Sequence, residues 1–129
     1  MLSHLKYAVI IMLSFTAPIS HADSKKLFCY EEDASGFTVG FQRSYFNTRR
    51  YALDIDFDNP SLTGGGDDIG MFGATCQTRT WVDGSELFSC VNAFNTHTFV
   101  LDLSSLVFVR SAALIGDSPL IAHGKCESF

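Results

Sequence analysis

The sequence predicts an all-β fold: a single small antiparallel β-sandwich or β-barrel of about seven or eight short strands, with two disulfides and a preceding signal peptide. Three observations lead there. Short runs with two-residue alternation recur at roughly 8–12-residue spacing, with turn residues between them. No segment repeats its apolar residues with the helical period over about three turns. The four cysteines are an even number in a small chain of 129 residues, the pattern of an exported disulfide framework.

Residues 1–22 read as a signal peptide. His4 and Lys6 open it, Tyr7 to Phe15 is almost wholly apolar, and Pro18 breaks any helix. Ser20-His21-Ala22 puts small residues at the two cleavage positions, which predicts a cut before Asp23. The apolar run falls short of the roughly 18 residues that span a bilayer, so no membrane span is expected after cleavage. Lipid anchoring needs a cysteine directly after the cut, and Cys29 lies too far on, behind the bulky Phe28. Removing 22 residues from 129 leaves 107, residues 23–129, enough for one all-β domain with a modest core.

Leu27 to Glu31 is the first expected strand, and Glu32-Asp33-Ala34-Ser35-Gly36 reads as a turn. Phe37, Val39 and Phe41 alternate with Thr38, Gly40 and Gln42, the pattern of a half-buried strand. The cleanest alternation is Arg50 to Phe57. It sets Tyr51, Leu53, Ile55 and Phe57 on one face, and Arg50, Ala52, Asp54 and Asp56 on the wet one. Asp58 to Gly70, with one proline, Gly64-Gly65-Gly66 and Asp67-Asp68, reads as a long loop.

Cys76 to Cys90 reads as a hairpin. Val82-Asp83-Gly84 fits a three-residue loop with glycine in the left-handed conformation. Trp81 then faces Ser85, and counting outward brings Cys76 opposite Cys90. Opposed Cα atoms in an antiparallel ladder lie about 4.5–5.5 Å apart, and a disulfide needs roughly 4.4–6.8 Å. Pairing Cys76 with Cys90 leaves Cys29 to pair with Cys126, tying the first strand to the last. Beyond the hairpin, Asn92 to His97 is a polar connection. Thr98 to Asp102 and Leu106 to Arg110 are strands joined by a turn that Asp102 caps. Val107 and Val109 on one face, with Leu106 and Phe108 on the other, suggest a strand covered on both sides. Ala112 to Ser118 is a loop or a brief helical turn, and Leu120 to Lys125 leads into the strand of Cys126.

After cleavage, eight Lys and Arg stand against fourteen Asp and Glu, a net charge of −6. With Lys25-Lys26 and Arg49-Arg50 as its basic pairs, such a chain is not expected to bind nucleic acid or an anionic membrane. No metal site or cofactor is expected: there is no Cys-x-x-Cys pair, and the histidines of the mature part are His97 and His123. Asp54, Asp56, Asp58 and Asn59 begin like a calcium loop, but its sixth and twelfth positions hold Asn59 and Gly65 instead of glycine and glutamate. Asp67-Asp68 after the glycines repels phosphate.

Gly116-Asp117-Ser118-Pro119-Leu120 resembles the Gly-Asp-Ser-Leu box of an esterase and lipase family. That family carries its serine near the start of an α/β domain, with an Asp-x-x-His pair further on. Here the box is close to the C-terminus, Pro119 replaces the leucine and no Asp-x-x-His follows, so it reads as an Asp-Ser-Pro turn. The tie between first and last strands is similar to that of small exported β-domains such as bacterial lysozyme inhibitors. Their Ser-Gly-x-x-Tyr motif is absent, since Ser35-Gly36 is followed by Phe37-Thr38-Val39. The likeness is architectural and implies no function.

The functional expectation is a non-catalytic binding protein of the cell envelope or the extracellular space, with an unidentified protein or envelope component as partner. Its expected binding surface is the 58–70 loop, with Asp67 and Asp68, together with the Trp81 turn. Two alternatives accompany it: a small hydrolase of envelope polymers, using acids near that loop or His123, and a structural or assembly factor.

Overall fold

A computed structural model of the chain describes residues 24–38, 40, 42–65, 69–113 and 119–128. The expected signal peptide therefore lies outside the described residues, as do Val39, Phe41, Asp67, Asp68 and the Gly116-Asp117-Ser118 segment.

The architecture is all-β. The strands are β1 (Ser24–Phe37), β2 (Arg43–Tyr45), β3 (Arg50–Asp56), β4 (Ser61–Gly64), β5 (Thr75–Thr80), β6 (Glu86–Val91), β7 (His97–Asp102), β8 (Val107–Ala112) and β9 (Leu120–Ser128). All pair antiparallel in one sheet, ordered β4-β3-β1-β9-β8-β7-β6-β5, with β2 pairing a second stretch of β1. The ends of this order come back together, because β4 approaches β5 without forming a ladder with it. Of the two architectures the sequence allows, this is the barrel, nearly closed. Side chains that alternate inward fill it: Leu27, Cys29, Leu53, Ile55, Phe88, Phe99, Leu101 and Phe108 are almost wholly buried. Phe99 stacks on Phe108 at 5.3 Å, and Tyr51 meets Phe108 edge-on at 5.9 Å.

Both disulfides form as the spacing requires. The hairpin register is the predicted one, from Thr80 opposite Glu86 to Cys76 opposite Cys90. The Trp81 amide donates to the Ser85 carbonyl at 2.7 Å, and Gly84 takes φ 88°. Counting in twos from that bonded pair makes Cys76 and Cys90 a non-hydrogen-bonded pair. Such pairs bring Cα atoms closest, and here they are 4.1 Å apart. Cys29 and Cys126 oppose each other where β1 meets β9.

Four sequence expectations are corrected. The acidic stretch Glu32–Gly36 is not a turn. It continues β1 across a bulge between Glu31 and Asp33. One extra residue there moves the inward-facing set from Leu27, Cys29 and Glu31 to Ala34, which makes a break in alternation look like a turn. The strand expected from Phe37 to Gln42 does not form as one element: Phe37 ends β1 opposite Arg43 of β2, and Thr38, Gly40 and Gln42 lie between the two strands. The Thr38 amide donates to the Gln42 carbonyl at 2.8 Å and Gly40 takes φ 106°. Asp58 to Gly70 is not one loop: β4 lies within it and buries Leu62 opposite Ile55. Finally, β8 is covered on its inner face alone. Phe108 is buried while Val107 and Val109 remain exposed outside.

Candidate functional site

One end of the barrel gathers the turns after β3, β5 and β7, each shaped by an aspartate. Asp56 Oδ1 accepts from the amides of Asp58 (3.0 Å) and Asn59 (3.2 Å). Asp83 Oδ1 accepts from the Ser85 amide (2.9 Å) and hydroxyl (2.5 Å). Asp102 Oδ1 accepts from the Ser104 hydroxyl (2.7 Å) and amide (2.9 Å) and from the Ser105 amide (3.2 Å). Short side-chain acceptors compete well with the ladder for local amides, which is why these residues make turns. The Ser85 and Ser104 donors hold the Asp83 and Asp102 carboxyls below their ordinary pKa. The β7–β8 turn is also tied down by Leu103 N–H donating to the Glu86 carbonyl at 3.0 Å and by Leu106 O accepting from Cys126 N–H at 2.8 Å.

These turns frame a concavity of about 600 Å³, the size of a small-molecule site. Leu27, Phe57, Leu103 and Leu106 form its apolar part, and Lys25, Asp58, Thr78 and Glu86 its polar one. Phe57 is fixed edge-on against Phe88 at 5.7 Å, with the Lys25 ammonium 6.0 Å from its ring centre. The mouth therefore offers an apolar floor and charges of both signs. At the same end the β5–β6 turn projects Trp81, 59% exposed, and Val82, 97% exposed. Trp81 thus does not pack across the hairpin.

Of the predicted surface, Asp58 of the 58–70 stretch lines the mouth at the Trp81 end. Asp67 and Asp68 lie outside the described residues. Their neighbours are at the opposite end of the barrel: Gly65 lies against Tyr51 and Ala52, and Gly70 against the His97 ring. That end is organised by Asn92, 3% exposed, whose side-chain amide donates to the Gly70 carbonyl (3.0 Å) and the Thr96 hydroxyl (2.9 Å). Its Oδ1 accepts from the amides of Thr96 (2.8 Å) and His97 (3.1 Å). His97 opens β7 and His123 lies on β9, with β8 between them. His123 sits 3.8 Å from the Asp33 carboxylate on the outer face.

A buried polar cluster escaped the sequence reading. Glu31 projects from the β1 bulge into the barrel and pairs with Arg110 of β8. Its other carboxylate contacts are the Arg49 amide at 2.9 Å and the Tyr51 hydroxyl at 3.3 Å. Burial, then the Glu31 carboxylate, pushes the Tyr51 pKa well up. Glu31, Arg110 and Tyr51 do not line the mouth concavity, and among the described residues no buried side-chain polar atom lacks a partner. The cluster is a closed structural network. Alternation alone carried the clue: Glu31 follows Leu27 and Cys29 in the inward set, and Arg110 follows Phe108. Among the described residues no group of three His, Cys, Asp or Glu is placed to hold a metal ion.

No protein family, curated protein or solved structure matches this chain.

Proposed function

We propose that the chain is exported, is cleaved before Asp23, and acts as a non-catalytic binding protein of the cell envelope or the extracellular space. The observation that carries this reading is the mouth concavity with the uncovered Trp81 at the same end of the barrel. A large aromatic ring left in water next to a concave, partly apolar surface is a recurrent anchor in recognition. Support for export comes from the apolar leader and from two disulfides, which persist in oxidising compartments. Support for a protein or envelope partner, and against nucleic acid, comes from the acidic balance of the mature chain.

The test is retention of an envelope component by the immobilised protein under cross-linking. Trp81→Ala and Leu103→Asp should each lose the component that the unaltered protein holds. Asp67→Ala with Asp68→Ala tests the glycine-rich segment separately. A component held equally by the Trp81 and Leu103 variants removes this end of the barrel from the binding surface.

A further inference from the structure

A second concavity, of about 440 Å³, lies on the outer face where the β1–β2 hairpin meets β8 and β9. It is independent of the mouth. Past the bulge, Ser35 and Phe37 point outward from β1, beside Ile121 of β9. Phe37 is 47% and Ile121 59% exposed. Ala112, Ala113, Pro119 and Leu120 add to a mostly apolar lining that also holds the Ser35 and Ser111 hydroxyls. The Phe37 amide donating to the Pro119 carbonyl at 3.0 Å fixes one wall to the other. Val109 and Val107 continue the apolar surface along β8. From Ala113 to Val107 a strand covers about 20 Å.

Arg43 is the charged residue of that lining. It faces Phe37 across the β1–β2 ladder, and its guanidinium lies 5.6 Å from the Tyr45 ring centre. Among the described residues no carboxylate forms an ion pair with it. A planar fork of donors at the end of an apolar trough is complementary to a carboxylate with a hydrocarbon tail. An amine of the same shape meets like charge. We propose that this trough binds a long-chain carboxylate, with its chain on Phe37, Ala113 and Ile121 and its headgroup on Arg43. The concavity favours a small amphiphile over a flat protein face.

The experiment uses the disulfide-bonded protein with laurate below its micellar concentration, read by calorimetry and by backbone amide shifts. Laurate should bind once per barrel and move the amides of Phe37, Ala113 and Ile121. Arg43→Gln should weaken laurate about tenfold and leave lauryl alcohol unaffected. Arg43→Lys, which keeps the charge and loses the fork, should fall between. Ile121→Asp should abolish both ligands. These side chains are exposed, so urea unfolding should show each variant folded like the parent. Any of four results overturns the proposal: no laurate binding, equal affinity for dodecyltrimethylammonium, no effect of Arg43→Gln, or shifts confined to Phe57 and Leu106 at the mouth.

Discussion

Replacing Glu31 with leucine should destabilise the barrel by about 4–5 kcal/mol, and replacing Arg110 with methionine as well should restore most of that loss. The magnitude follows from what the carboxylate holds. Glu31 accepts from Arg110, the Tyr51 hydroxyl and the Arg49 amide. Its side chain is fully buried and that of Arg110 is 5% exposed. Without Glu31, a guanidinium is left in the barrel with its charge unmatched, the situation that costs about 3–5 kcal/mol. Arg110→Met alone leaves a carboxylate that keeps two donors, so it should fall at the lower end, about 3 kcal/mol. The double variant strands two neutral donors at about 1 kcal/mol each. Its total should therefore be near 2 kcal/mol, a coupling of about 5–6 kcal/mol between the two positions. Urea unfolding with both disulfides intact measures all three variants, and an unchanged m-value shows that the same surface is exposed in each. If the double variant loses the sum of the single losses within about 0.5 kcal/mol, the pair is not coupled and the reasoning fails.

Tyr51 supplies a pH dependence with a definite sign. Its folded pKa is raised above the ordinary value of 10.0, so above that pH the unfolded chain releases a proton that the folded barrel retains. Stability should therefore fall as pH rises past 10.0, by up to about 1.4 kcal/mol per pH unit from this group. Urea midpoints on the alkaline side should show the slope, and Tyr51→Phe should remove Tyr51's share of it. The two bridges should differ in weight. Cys29–Cys126 spans 97 residues and Cys76–Cys90 spans 14, so chain entropy gives about 4.7 kcal/mol for the first and about 3.0 kcal/mol for the second. Paired Cys→Ser variants, compared by urea unfolding, should rank in that order. Gly124→Ala should cost about 3 kcal/mol, because its added carbon would sit 1.9 Å from the Tyr30 carbonyl. Gly84→Ala, in open space at φ 88°, should cost about 1 kcal/mol from backbone strain alone; equal losses at the two glycines would contradict the close β1–β9 approach.

Local chemistry made much of the fold legible. The all-β class, the Tyr51–Leu53–Ile55 core face, the Asp102 turn and the whole β5–β6 register follow from side-chain alternation and turn residues, because each depends on neighbours a few positions away. The register also placed Cys76 opposite Cys90 and thereby paired Cys29 with Cys126. What escaped depends on distant parts of the chain. The β1 bulge disguised a continuous strand as a turn, since an extra residue breaks alternation locally and is explained only by β9 and β3 on either side. Leu62 became a strand residue only because β3 offered an unpaired edge.

The sequence by itself determined the all-β class, the strands β3 and β5 to β9, the hairpin register and both disulfides, because these rest on short-range periodicity and covalent geometry. The tertiary structure decided barrel over sandwich, since that depends on β4 returning to β5. It also decided that Trp81 is left uncovered at the mouth end of the barrel, and that Glu31 meets Arg110 inside. Burial and ion pairing between residues far apart in the chain are properties of the closed sheet, and no single strand carries them.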